Sequence, residues 1–399
     1  MARPRSLRVL FVRPGDRQGL HRGLSFAIPR ERGDVLPLGL LGLASAVKYG
    51  STHRALVHDE RHPDVPALGP AGSLRGLSRA LKPDVAVIWL HPALLADGLE
   101  AARQARHAGC STVLGAGPLG ALWPEAAGRV LEVDGLVGSD GGLLAGLEVL
   151  EAGGEADRLA QALASDRPGR WPLDRKLLDY ARYNGVGGPP WAATGRPPGL
   201  RSDKGRFAAS PVLLGQDTAE DVGACCLLGV RFVDLVGSLP DPGALSGLVA
   251  SLPPGARMRL QVSPAELRSL SLTGLRTRGV EALHLGPLKA GDREAVDEAC
   301  AVARTAGAAG FALGATAFVG APGYSAAPED AGLERLRSAG ISLEVRVALR
   351  PDSDRWIDYA DAPSASFLPP GIDAGRLAAT ERARPEAPRG RRRSILARR

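Results

Sequence analysis

Apolar residues fall in two rhythms along this chain: short unbroken runs, and longer stretches with a single apolar face. The two alternate. Leu7-Arg8-Val9-Leu10-Phe11-Val12 reads as a strand, and a long polar loop follows it. Pro37 then opens a stretch to Val47 that is apolar along one face, with proline at a helix start, where its missing N–H costs nothing. Further strands are predicted at 53–57, 84–90, 111–114 and 135–138, and helices at 94–108 and 142–151. The run 84–90 is almost wholly apolar, as a strand covered on both faces must be. Strand and helix taking turns predicts a doubly wound parallel sheet, whose ligands sit beyond the carboxyl ends of its strands.

The rhythm breaks at Gly153. From there to Arg206 the chain is rich in Gly, Pro and Arg, with Gly187-Gly188-Pro189-Pro190 and Arg196-Pro197-Pro198-Gly199 excluding long regular elements. This stretch reads as a connection that wraps over a surface. Alternation resumes after Ser210. Helices at 218–228, 242–252, 264–272, 293–306 and 328–338 alternate with strands at 231–236, 257–262, 282–285, 311–319 and 342–348. Five such repeats suit an open or partial barrel and fall short of a closed one of eight. The expected organisation is therefore a first α/β domain over 1–152, a connection over 153–206, a partial barrel over 207–360 and a tail over 361–399.

Composition adjusts this picture in three places. Aromatic residues are only 4% of the 399, so both cores must be built from Ala, Leu and Val. The net charge of +7 invites a nucleic-acid reading, but nine of the 50 basic and two of the 43 acidic residues lie between Arg376 and Arg399. The rest of the chain is neutral, so it has no basic face for nucleic acid, and only the Arg-rich tail could meet RNA or an acidic partner. That tail reads as disordered and solvated. No apolar run of about 18 residues marks a membrane span, and no signal-type segment precedes the first strand, so the reading is cytoplasmic. The four cysteines, Cys110, Cys225, Cys226 and Cys300, show neither zinc spacing nor a disulfide framework, and read as small buried apolar residues.

Several loops are familiar in their order. The helix opening Pro37-Leu38-Gly39-Leu40-Leu41, the strand Pro83-Asp84-Val85-Ala86-Val87-Ile88, and the strand end Val113-Leu114-Gly115-Ala116-Gly117-Pro118 come first. They are followed by Val133-Asp134-Gly135-Leu136-Val137-Gly138-Ser139-Asp140, Arg206 with Ser210-Pro211-Val212, and Val319-Gly320-Ala321-Pro322-Gly323. Together they resemble the cobalamin-binding radical SAM enzymes over about residues 7–345. The resemblance implies an N-terminal Rossmann-like, doubly wound parallel sheet of the cobalamin-binding type, then a partial (β/α) barrel of radical SAM type. It also implies cobalamin as the cofactor, with Asp59, Leu90, His91, Gly115, Gly117, Pro118, Gly138 and Ser139 around it. Cobalamin is a flat, amide-fringed ring with a nucleotide tail, and the tail needs a slot into the sheet lined by small residues. Glycines at strand ends would serve that slot; equally, they would simply turn the chain. His91 is placed to face the ring or to enter the next helix. His62 as a cobalt ligand fits poorly, because His58-Asp59-Glu60-Arg61-His62-Pro63 lacks the spacing and glycine of the Asp-x-His-x-x-Gly loop of cobalamin mutases and methyltransferases. A loop histidine is the default there.

What the resemblance requires of the second part is missing. Radical SAM enzymes hold a four-iron cluster with three thiolates in a Cys-x-x-x-Cys-x-x-Cys loop, and this chain has no cysteine between Cys110 and Cys225. The expected place reads Thr194-Gly195-Arg196-Pro197-Pro198-Gly199. The sequence thus predicts no 4Fe-4S cluster and no autonomous radical chemistry. No replacement machinery stands out: Asp217, Glu220 and Asp221 suit a helix start, and Asp234 and His284 could converge at a barrel mouth or be satisfied core groups. Three functions follow as alternatives. The first is a degenerate, cobalamin-binding accessory, carrier or sensor for a catalytic partner. The second is a cluster-independent cobalamin-dependent methyltransferase, and the third an interaction scaffold without cofactors.

Overall fold

The computed structural model describes residues 6–15, 37–60, 73–90, 95–117, 132–165, 171–178, 209–213, 218–227, 232–236, 244–253, 257–320 and 325–347. The chain divides into two compact units.

The first unit is built on β1 (Arg8–Arg13), β2 (Arg54–Asp59), β3 (Val85–Trp89), β4 (Thr112–Ala116) and the short β5 (Gly135–Leu136). Its sheet has the order β2-β1-β3-β4-β5, and every pairing is parallel. The order reverses between β1 and β3, which makes the carboxyl ends of those two strands the switch point of the sheet. Helices cover both faces. Val9, Phe11, Val85, Val87 and Leu114 point to α1 (Leu38–Gly50), α4 (Asp140–Glu151) and α5 (Ala156–Leu163). Leu10, Val12, Ala86, Ile88 and Val113 point to α2 (Leu74–Leu81) and α3 (Leu95–His107). Side chains alternate between faces along each strand, so an all-apolar strand serves two cores at once. The alanines expected from the composition do the close packing: Ala44 and Ala46 on α1 and Ala101, Ala102 and Ala105 on α3 are buried.

Two helices here exceed the sequence reading. α2 was not predicted because its eight residues include Gly76 and Ser78 and carry little intrinsic helicity. Its ends compensate: the Ser73 hydroxyl accepts from the Gly76 N–H, and Lys82 closes the helix in the left-handed region at φ 45°. α5 lies within the segment read as connection. Its Leu159 and Leu163, one turn apart, are buried against α4, so that part of the segment completes the first core.

The other sheet has six strands, in the order β11-β10-β9-β8-β7-β6. Its strands are β6 (Ala209–Leu213), β7 (Phe232–Val236), β8 (Arg257–Val262), β9 (Val280–Lys289), β10 (Ala312–Val319) and β11 (Ser342–Val347). From β7 to β11 each pairs in parallel with the next. Neighbours in sequence are neighbours in the sheet, with α6 (Thr218–Leu227), α7 (Ala244–Ser251), α8 (Pro264–Ser269), α9 (Leu272–Thr277), α10 (Arg293–Ala308) and α11 (Ala326–Ser338) between them. That winding is the one of a barrel, here partial. The chain is thus α/β, with a doubly wound sheet and a partial barrel.

Three details depart from the expectation. β6 adds a sixth strand before the five predicted. The helix read over 264–272 is two: Ser263 and Glu266 form a reciprocal capping box for α8, and Ser271 stops it by capping α9 instead. β9 runs on through Gly286-Pro287 to Lys289, because a glycine at φ 118° lets its backbone pass close to the Thr316 carbonyl of β10. Among the described residues no helix is long and apolar enough to cross a membrane.

Candidate functional site

The carboxyl edge of the first sheet gathers most of the residues singled out in the sequence. Arg13 and Asp59 end β1 and β2 opposite one another in register. Their side chains, 1% and 0% exposed, form an ion pair at 3.0 Å. Beside them the Glu60 carboxylate accepts from the Gly15 N–H at 2.9 Å. A pair so deeply buried costs its full desolvation and repays it only through good geometry, so it fixes the chain's exit from the switch point more than it adds stability. Arg13 carried no signal in the sequence, because its partner lies 46 residues away.

Leu90 follows β3 and is fully buried, with its N–H on the Ala116 carbonyl at 2.6 Å. Its side chain fills the space beside Gly98 and Gly115: a Cβ at Gly115 would lie 2.7 Å from Leu90 Cδ1 and equally close to Leu136 Cδ2. Gly117 turns out of β4 at φ 109°, and a Cβ there would stand 2.9 Å from the Leu90 carbonyl and 3.0 Å from the indole of Trp89. After β5, Gly138 donates its N–H to the Leu163 carbonyl at 3.0 Å. Ser139 caps α4, accepting from the Gly142 N–H at 3.0 Å and donating to the Ser165 carbonyl at 2.6 Å. His62, His91 and Pro118 lie outside the described residues.

Trp89 is the residue the sequence reading passed over. It ends β3 at the switch point, half-buried. The tip of its benzo ring abuts Gly39 in the first turn of α1, and Gly117 lies over the bond that fuses its two rings. The signal was present: one of five tryptophans in a chain poor in aromatics, at the carboxyl end of a central strand.

In the second unit one face of the sheet is polar. Asp234 on β7 faces Arg259 on β8 in register, and the two form a bidentate ion pair through Arg259 Nε and Nη2. Both are buried. Complete burial pushes the Asp234 carboxyl above the usual carboxylate range, against the opposite pull of the guanidinium. His284 on β9 lies in register with Gln261, two residues beyond Arg259, so the same face continues. Its Nε2 meets Thr316 Oγ1 of β10 at 2.8 Å. The other face carries Val233, Leu235, Met258, Leu260, Leu283 and Leu285, all buried. Asp234 and His284 therefore share a face, and each is held by its own neighbour, Arg259 or Thr316.

The cysteines are dispersed. Cys110 is buried after α3, where burial and the Asp84 carboxylate push its thiol up to about 11. Cys225 is buried on α6, while Cys226 beside it and Cys300 on α10 are half-buried. Among the described residues no group of three His, Cys, Asp or Glu is arranged to hold a metal.

No protein-family model and no curated protein matches the chain. Solved structures do. The radical S-adenosylmethionine methyltransferase TsrM from Kitasatospora setae, with cobalamin and a 4Fe-4S cluster bound, matches with a TM-score of 0.57 at 14% identity, over 85% of this chain and 75% of that one. The same enzyme with tryptophan substrate and aza-SAM, a SAM analogue, matches at 0.52 and 13%, over 86% and 73%. OxsB, a cobalamin-dependent S-adenosylmethionine radical enzyme with aqua-cobalamin and S-adenosylmethionine bound, matches at 0.50 and 11%, over 93% of this chain and 58% of that one. At such identities the likeness is one of fold: the two sheets described above follow the architecture of cobalamin-dependent radical SAM enzymes.

Proposed function

We propose that this chain is a cobalamin-binding protein of radical-SAM-like fold without an iron–sulfur cluster, serving a catalytic partner as accessory, carrier or sensor. The observation that carries the reading is the missing sulfur. A four-iron cluster needs three thiolates in one loop, and no cysteine occurs between Cys110 and Cys225 in a chain that otherwise spans both parts of the fold. Cys225 and Cys226 do not replace them, being two adjacent residues on one helix with the first turned into the core.

The cofactor reading rests on the carboxyl edge of the first sheet, where doubly wound folds bind their ligands. The residues that would hold it are Leu90, Gly115, Gly117, Gly138 and Ser139 at and after the ends of β3, β4 and β5, with Asp59 at the end of β2, and with His91 and Pro118, which lie outside the described residues. When bound, cobalamin supplies a cobalt centre able to carry a methyl group. The protein's own contribution is a rigid edge.

Two measurements test this. Protein reconstituted with hydroxocobalamin should keep its red colour through desalting; a colourless product leaves the scaffold reading. Iron and sulfide after anaerobic reconstitution should stay far below four of each per chain, and a stoichiometric four-iron cluster would overturn the claim. One observation favours a second reading, polar methyl transfer without a cluster: the polar face of Asp234, Arg259, His284 and Thr316, the first three of them buried, could orient an acceptor. Methyl transfer from methylcobalamin to a defined acceptor would then be measurable, and would be lost in His284→Ala.

A further inference from the structure

The winding of the second sheet puts its helices on one side. Parallel strands that follow one another in order are joined by right-handed crossovers, so the helices pack against one face, here the apolar one. The opposite face is not filled as the interior of a closed barrel is. Gln261 on β8 and Ala312, Thr316 and Phe318 along β10 are half-buried there, and on β10 they alternate with buried residues of the apolar face.

A row of residues crosses this polar face. Gln261, His284, Gly314 and Ser342 stand in register on β8, β9, β10 and β11, so they share the face. Gly314 brings no side chain, which leaves a gap in the row between His284 and Ser342. Two strand spacings make that gap about 10 Å from backbone to backbone. Ser342 borders it with a hydroxyl oxygen that is shut from solvent and has no hydrogen-bond partner among the described residues. Folded chains leave few buried polar atoms in that state, because an unmade hydrogen bond costs the whole desolvation of the group. The charges among the described side chains in the middle of this face are Asp234 and Arg259, and they neutralise each other. A charged ligand would therefore enter without a counter-ion.

We propose that this row is a binding site for a small uncharged molecule carrying an amide or hydroxyl group. That group meets the Ser342 hydroxyl, and the body of the ligand lies over Gly314, between His284 and Ser342. The proposal names the ligand class for the face on which the second reading would place a methyl acceptor. It rests on that face alone and is independent of cobalamin.

The test uses the full chain at about pH 8, where histidine is ordinarily neutral, and three probes of one shape: benzamide, benzoate and benzylammonium. In titrations followed by saturation-transfer difference NMR, benzamide should bind at least about fivefold tighter than either charged probe. Ser342→Ala should weaken benzamide by about three- to tenfold, the worth of one hydrogen bond. Its hydroxyl leaves no partner orphaned, so the same variant should melt no lower than the wild type. A merely structural serine would show the reverse, a lower melting temperature with unchanged binding. Gly314→Val closes the gap with a residue suited to a strand and should abolish binding. The proposal is overturned if a charged probe binds as tightly as benzamide, if benzamide does not bind at up to about 20 mM, or if Ser342→Ala binds it like the wild type. Ser342→Ala decides even if Gly314→Val does not fold. A protein that stays colourless with cobalamin leaves this site standing, and a failure of benzamide to bind leaves the cobalamin reading standing.

Discussion

Replacing Asp234 with Asn should destabilise the second unit more than a single polar substitution ordinarily does. In the wild type the carboxylate is 2% exposed and the Arg259 guanidinium 4%. Two guanidinium N–H groups are met by two carboxylate oxygens. Asn keeps the shape but offers one carbonyl and turns an NH₂ toward a cation that cannot lose its proton. The result is an uncompensated buried charge, at a cost of about 3–5 kcal/mol. With a urea dependence of about 2 kcal/mol per molar, the midpoint should fall by about 2 M. Because the chain has two units, the assay must report on the second: hydrogen–deuterium exchange of peptides within 232–285 across a urea series does so. The double variant Asp234→Leu with Arg259→Met supplies the contrast, since replacing both partners by apolar groups should come within about 1 kcal/mol of the wild type. A single-variant loss below about 1 kcal/mol, or a double variant as weak as the single, would refute the argument.

Other consequences are equally direct. Gly332→Ala drives a Cβ into the Ala290 carbonyl and should cost about 2–4 kcal/mol, whereas Gly42→Ala on α1 meets nothing within 4 Å and should gain a few tenths to about 1 kcal/mol; thermal melts compare the two. Cys110, with its thiol at about 11, should stay unlabelled by iodoacetamide in the native protein at pH 7.5 and react once urea is added. Native labelling at the rate of a free cysteine contradicts its burial. Burial tends to raise the Asp174 carboxyl, but hydrogen bonds from Lys48, the Lys176 N–H and Tyr49 hold it below the ordinary range. A depressed carboxyl stabilises the fold above its unfolded value of about 4 and loses that contribution as pH falls through the folded value. Lys48 is largely exposed, so Asp174→Asn should cost about 1 kcal/mol or less at pH 7, and the difference should vanish near pH 2.

The elements were legible because they are local. Unbroken apolar runs gave ten strands of the two sheets, all but β6, and one-faced stretches gave most of the helices between them. Short helices escaped where caps rather than propensity sustain them, as Ser73 does for α2 and Ser271 for the break between α8 and α9. The site was half legible. Asp59, Leu90 and the glycines stood out by place, but the residues that govern them, Arg13 and Trp89, did not.

By itself the sequence determined the alternation of strand and helix, the parallel sheets that follow from it, and the absence of cysteine where a cluster loop would lie. These depend on side-chain period and residue identity, which any chain carries along its length. Only the tertiary structure decided which polar groups meet and what fills the glycines. Arg13 finds Asp59 across 46 residues, Arg259 finds Asp234 across 25, and His284 finds Thr316 across 32. Those distances are closed by strand order and register, and a shift of one residue would turn each partner to the opposite face.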